Sequence, residues 1–181
     1  VYSVLGNHDY GDYVPWGSVE EKTANLNDLK ARQAKMGWQL LLNEHRSIER
    51  NGQNIHLIGV ENWGAGGFKK SGDFQAATTG VDPEGFKVLM SHDPSHWEHQ
   101  VKDHPTKVQL TLSGHTHGMQ FGVDIPGLIK WSPVQYRYPF WAGIYKRNEK
   151  FLNVNRGFGF IGYPGRVGIK PEISVITLKK G

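Results

Sequence analysis

Three short clusters hold most of the side chains in this sequence that could do chemistry: Gly6-Asn7-His8-Asp9, Ser91-His92-Asp93 and Gly114-His115-Thr116-His117. Together they offer four histidines, an asparagine and two carboxylates. Neutral imidazole is the commonest side-chain ligand for borderline metal ions. Gly6 and Gly114 let the backbone turn sharply and bring ligands close. His115 and His117, two residues apart, can bind one ion side by side or face two neighbouring ions. Any one of these histidines alone would read better as a buried, hydrogen-bonded side chain, but four in similar settings favour metal chemistry. Asn7 and Asp9 alone would be turn formers. Asp93, followed by Pro94, serves equally well as a helix entry. With no cysteine in the chain, thiolate sites, disulfides and a cysteine nucleophile are excluded. A metal site must then come from His, Asp, Glu and Asn, which suits Zn, Mn or Fe.

Each cluster follows an apolar run that reads as a buried strand: residues 1–5, 86–90 and 108–112. In open α/β sheets ligands sit outside the carboxyl ends of strands, so three such ends can converge on one site. Between them the pattern alternates. Leu26, Leu29, Gln33 and Met36 recur at helical spacing over 19–36, with Gly37 as a stop. Asn51-Gly52 is a hairpin signal between arms at 38–50 and 54–60. A Gly-rich loop over 61–72, short helices at 73–79 and 95–101, and a turn-rich tail closed by the run 173–178 complete the reading. His45, His56, His96, His99 and His104 fall on hairpin or helix faces, where exposed or locally bonded histidine is expected. Most tryptophans should pack in the core. Trp97 or Trp63 would line any substrate groove, since each follows a strand-end loop. Gly157, Gly159, Gly162 and Gly165 read as turns, not as a dinucleotide fingerprint.

A chain of 181 residues, 38% apolar and 21% charged, suits one soluble globular domain. Its net charge of +4 suits an anionic substrate. The basic pairs Lys69-Lys70 and Lys179-Lys180 are too short to indicate nucleic acid. No run approaches the ~18 apolar residues of a membrane span, and no signal peptide is visible. Residues 1–5 read as a strand already in progress, as if the sequence were cut from a longer protein.

Taken in order, Gly6-Asn7-His8-Asp9, His92 after a strand, and Gly114-His115-Thr116-His117 resemble the calcineurin-like metallophosphoesterases. The resemblance runs through the whole chain. Residues 155–159 and 166–178 look like the bacterial branch, many members of which are attached to membranes. It implies an α/β fold, a partial four-layer α/β/β/α sandwich with mixed sheets, and a metal-dependent hydrolase of phosphate mono- or diesters. Two divalent ions (Mn, Zn or Fe) are implied, with Asn7, His92 and His115 on one and His117 on the other. The resemblance also implies attack by a hydroxide between the ions, with His8 assisting the leaving group and Asp9 orienting His8.

The family's two earlier motifs, Asp-x-His and Gly-Asp-x-x-Asp, are absent from this sequence. We therefore expect residues 1–181 to be a metallophosphoesterase domain lacking its N-terminal part. Alone it should bind metal weakly and turn over poorly or not at all. The strand at 1–5 would present an unpaired edge, which predicts self-association or recruitment of a partner. Membrane or envelope association, through a segment upstream, follows by analogy. A non-catalytic binding or scaffold module is the alternative, and the intact clusters weigh against it. A nuclease would call for a basic groove with interleaved aromatics, which the sequence does not concentrate.

Overall fold

The structure, a computed structural model, describes residues 1–179. Its centre is a six-stranded mixed sheet in the order β3-β4-β5-β6-β10-β9. Four of these strands run parallel: β4 (Gln53–Gly59), β5 (Phe86–Met90), β6 (Leu110–Ser113) and β10 (Lys150–Val154). The edge strands β3 (Glu44–Arg50) and β9 (Gly143–Arg147) are antiparallel to their neighbours. β3 and β4 form the expected hairpin, with Asn51 and Gly52 both at positive φ, as its tight turn requires.

Side chains of the parallel strands alternate between two apolar layers. On one face Ile58, Leu89, Leu152 and Val154 pack with Phe74 and Ala77 of helix α2 (Phe74–Thr78) and with Trp97 and Val101 of a single π turn (Trp97–Val101). On the other face Leu57, Val88, Leu110 and Leu112 pack with Tyr2, Val4 and Leu41. These last three belong to or flank a second, small parallel ladder, β1 (Tyr2–Ser3) with β2 (Gln39–Leu40). Helix α1 (Val19–Lys35) lies against that ladder. Ser18 caps α1, accepting the Glu21 N–H, and the Ser3 hydroxyl donates to buried Gln33 at 2.6 Å, which ties helix to strand. The order of layers is thus α1, β1–β2, the six-stranded sheet, then α2 with the π turn. This is the α/β arrangement with a mixed sheet expected from the sequence.

The helix expected at 95–101 is present, with Trp97–Val101 in π geometry. Two expectations need correction. Trp97 is fully buried in the core and lines no groove. The β-branched run at 173–178 forms no strand among the described residues, with Val175 91% exposed. An added hairpin, β7 (Val123–Ile125) with β8 (Ile129–Trp131), stands apart from the main sheet. The loop 156–166 after β10 is held by fully buried Gln120, which accepts the N–H groups of Ile161 and Gly162 and donates to the carbonyls of Tyr163 and Gly165. Among the described residues no helix is long and apolar enough to cross a membrane.

Candidate metal centre

The three clusters meet at the carboxyl ends of β1, β5 and β6. Asn7 follows β1 in a short 3-10 turn (Asn7–Tyr10), His92 follows β5, and His115 follows β6. The Asn7 Oδ1 atom lies 2.9 Å from His92 Nε2 and 3.0 Å from His115 Nδ1, and the two ring nitrogens are 3.2 Å apart. Gly6 makes this approach possible: a Cβ there would stand 2.7 Å from the His92 ring.

Partners outside the triangle fix which atoms face inward. The Asn7 Nδ2 group donates to the Tyr13 hydroxyl at 2.7 Å, so its carbonyl oxygen points to the histidines. His115 Nε2 donates to the Tyr138 hydroxyl at 2.7 Å, and that hydroxyl donates to Asp93 Oδ2 at 3.3 Å. This network assigns the proton of His115 to Nε2 and leaves a lone pair on Nδ1. Asp93 is fully buried, and its other oxygen accepts the Ser95 N–H and hydroxyl. Burial pushes His92 down to about 3, helped by neighbouring His115. Burial likewise pushes His115 down to about 4, with His117 and His8 adding to it. Both rings are therefore neutral near pH 7.

His115 and His117 both have positive φ, at 68° and 51°, with Thr116 between them in the right-handed helical region. Strain of this kind costs on the order of 1–3 kcal/mol per residue and gathers at functional sites. Thr116 anchors the turn by donating to the Trp141 carbonyl at 2.7 Å. His117 Nδ1 is buried with no hydrogen-bond partner. Burial, with Arg166 nearby, lowers its pKa. His8 is exposed, its ring centroid 4.4 Å from that of Tyr13. Asp9 accepts the Gly6 N–H at 2.7 Å and so shapes the turn. Among the described residues it makes no hydrogen bond to His8.

Curated relatives cover almost the whole chain. It is 29% identical over 177 residues to the uncharacterized metallophosphoesterase YkuE of Bacillus subtilis, covering 97% of this chain and 55% of that protein. A transmembrane protein with metallophosphoesterase domain from Danio rerio is 29% identical over 187 residues, covering 99% of this chain and 38% of that protein. The phosphodiesterase YaeI of Escherichia coli is 27% identical over 178 residues, covering 98% and 57%.

The chain is similar to metallophosphoesterases over almost its whole length.

It spans about half the length, or less, of these metallophosphoesterase relatives. No family model and no solved structure matches it. Within this chain, Asn7, His92 and His115 are in direct contact. His117 and His8 lie near enough for their charges to bear on both other histidines, and Asp9 is engaged elsewhere. No group of three His, Cys, Asp or Glu side chains forms a complete metal cage among the described residues. Sequence reasoning missed Tyr138 and Tyr13. Nothing near either residue in the sequence marks it, since each acts through contacts made only on folding. Asp93 carried a signal, its place beside His92, but an equally good local reading.

Proposed function

We propose that this chain contributes part of a metal-dependent centre that hydrolyses phosphate mono- or diesters. Asn7, His92 and His115 would hold one divalent ion, and His117 would help hold a second. The observation that carries this reading is the inner triangle. Asn7 Oδ1 and His115 Nδ1 present lone pairs, so at most one proton, on His92 Nε2, serves three close contacts. A cation satisfies such a set better than a proton does. Ligand atoms around an ion bonded at ~2.1 Å stand roughly 3 Å apart, as these do. The unpartnered nitrogen of His117 fits the same purpose. Mn, Zn or Fe bound there would polarise a phosphoryl oxygen and acidify water.

The chain's own residues supply the rest. Tyr138 and Asp93 aim His115, and burial keeps His92 and His115 unprotonated and free to ligate. His8, exposed at the turn, is the group to protonate the departing ester oxygen. Tyr13, stacked on His8 and bonded to Asn7, is its positioning residue, and Asp9 holds the turn beneath. The inner set includes no carboxylate to join two ions, and the metallophosphoesterase relatives are about twice as long. Residues 1–181 therefore act as one part of the domain, with further ligands supplied from outside this sequence.

The test is a metal count by mass spectrometry after loading with Mn or Zn, with hydrolysis of p-nitrophenyl phosphate and bis(p-nitrophenyl) phosphate alongside. The chain should retain at most one ion, weakly, and His115→Ala should retain none. The longer protein should retain two and hydrolyse one of the esters. In that protein His8→Gln should lower kcat with the metal count unchanged. Binding indifferent to His115→Ala would overturn the ligand assignment. A fully loaded longer protein inert toward both esters would favour the binding-module alternative.

A further inference from the structure

A cleft of about 270 Å³ opens beside the candidate metal centre, between the Gly-rich loop at Ala65 and Gly66, the entry to the π turn at Pro94 and Ser95, and residues 137–140. That volume is near the low end for a small-molecule site and holds one ring with its substituents. The bonds that aim His115 also set the walls. Tyr138 lines the cleft and accepts from His115 Nε2. Ser95 lines it too, donating to Asp93 and accepting the Ala65 N–H at 2.9 Å. Ser132 caps the 3-10 turn before Arg137 (Pro133–Tyr136) and donates to the Gly118 carbonyl at 2.8 Å. Phe140 is held edge-on against Trp97 and Tyr145. The cleft is thus a built, mostly apolar cavity, not a gap between loose loops.

Glu98 and Arg137 bring opposite charges to the cleft, but only Glu98 is compensated, by Lys102. Arg137 forms no ion pair among the described residues. Its guanidinium lies over the rings of Phe68 and Tyr138, 5.7 and 6.0 Å from their centroids. Stacking leaves the in-plane N–H fork of a guanidinium able to grip a carboxylate or phosphate. Phe68 is in turn edge-on to His115, with ring centroids 5.1 Å apart. An occupant must therefore combine an apolar ring, for the walls, with an anion, for Arg137. A neutral ring would leave the arginine unpaired, and a small anion would leave the walls wet.

Resting on the hydrolase reading above, we propose that this cleft is the subsite for the organic group of the ester, an aromatic alcohol carrying a second anionic substituent. Arg137 is its specificity-determining contact. The cleft and the triangle share the His115–Tyr138 pair, so their separation is on the scale of one small substrate.

The experiment has two arms. In chelator, p-fluorobenzoate is titrated onto the chain and followed by fluorine NMR, with p-fluorobenzyl alcohol as the uncharged ring and acetate as a competitor. The benzoate should bind in roughly the millimolar range, as suits so small a ligand. The alcohol should bind about tenfold more weakly, and acetate should not displace the benzoate. Arg137→Gln, at an exposed position, should weaken the benzoate about tenfold and leave the alcohol unchanged. Ala65→Leu, which fills the cleft, should weaken both, and circular dichroism would show that both variants remain folded. In the metal-loaded longer protein, Arg137→Gln should raise KM for p-carboxyphenyl phosphate about tenfold and leave phenyl phosphate and kcat unchanged. No benzoate binding, or binding indifferent to Arg137→Gln, would overturn the proposal. Benzoate binding through Arg137 with no difference between the two esters would make the cleft an effector site and overturn its role as a subsite. A longer protein that binds benzoate through Arg137 yet hydrolyses no ester would overturn the hydrolase reading and the substrate role together, leaving a site for aromatic anions.

Discussion

At the scale of single side chains, the Tyr138 hydroxyl decides how His115 presents itself, since it accepts from Nε2 and donates its own hydrogen to Asp93. Tyr138→Phe deletes both bonds while leaving the ring in place. We expect metal affinity to fall about 10–100-fold, the usual effect of losing a group that orients a ligand, with little change in folding. Calorimetric titration with Zn checks this, and unchanged affinity would remove Tyr138 from the site. His96 gives a pH prediction. It is fully buried between Ser91 and Gln100, and burial pushes it down to about 4 from an ordinary 6.5. Between those values the unfolded chain binds the proton and the folded chain does not. The stabilisation is thus complete above about pH 6.5 and is lost as pH falls through about 4, some 3 kcal/mol in all. In urea titrations across that window, His96→Gln should show a shallower loss of stability by about one proton. An identical slope would refute the assignment.

At the scale of elements, the two sheet layers touch closely at Gly59, where β4 passes under Leu41 and Val4. A Cβ there would lie 2.3 Å from Leu41 Cβ and 3.0 Å from Val4 Cγ1. Because the Leu41 atom is next to its backbone, Gly59→Ala cannot be relieved by a rotamer change. It should cost about 1–3 kcal/mol in chemical unfolding, whereas a neutral result would mean the layers separate easily. Elements written in local pattern were legible from sequence: the Asn51-Gly52 hairpin, the helix over 19–36, and β5 leading into His92. The run 173–178 was misread because β-branched residues favour a strand only where a neighbouring strand is available, and none pairs with it here. Trp97 was misplaced because its position after a loop says nothing of which way the π turn faces. That the three clusters can converge is legible from their strand-end settings, whereas the grouping of Asn7, His92 and His115 follows only from the family resemblance. Tyr13 and Tyr138 were not foreseen, because each is defined by what it touches.

At the scale of the whole molecule, one side of the six-stranded sheet is thinly covered. The β1–β2 ladder has only two residue pairs. Ile144 of β9 is 69% exposed and Phe151 of β10 38% exposed. An unpaired strand edge beside apolar surface favours association. We expect light scattering to show self-association of this chain as its concentration rises, reduced when Ile144 is changed to Lys. A monomer at every concentration would count against this. Under the function proposed above, further chain in a longer protein would cover the same surface, and there the tendency should vanish.

The clamp around Gln120 has a consequence for the loop's kinetics. One amide side chain holds both arms of the bend, and the Tyr163 hydroxyl returns a bond to the Gln120 carbonyl at 2.7 Å. The bonds share a single residue, so they cannot be released one at a time with profit. The loop opens as a unit or stays shut, and the backbone hydrogens of Ile161 and Gly162 should exchange with heavy water at strand-like rates although no ladder protects them.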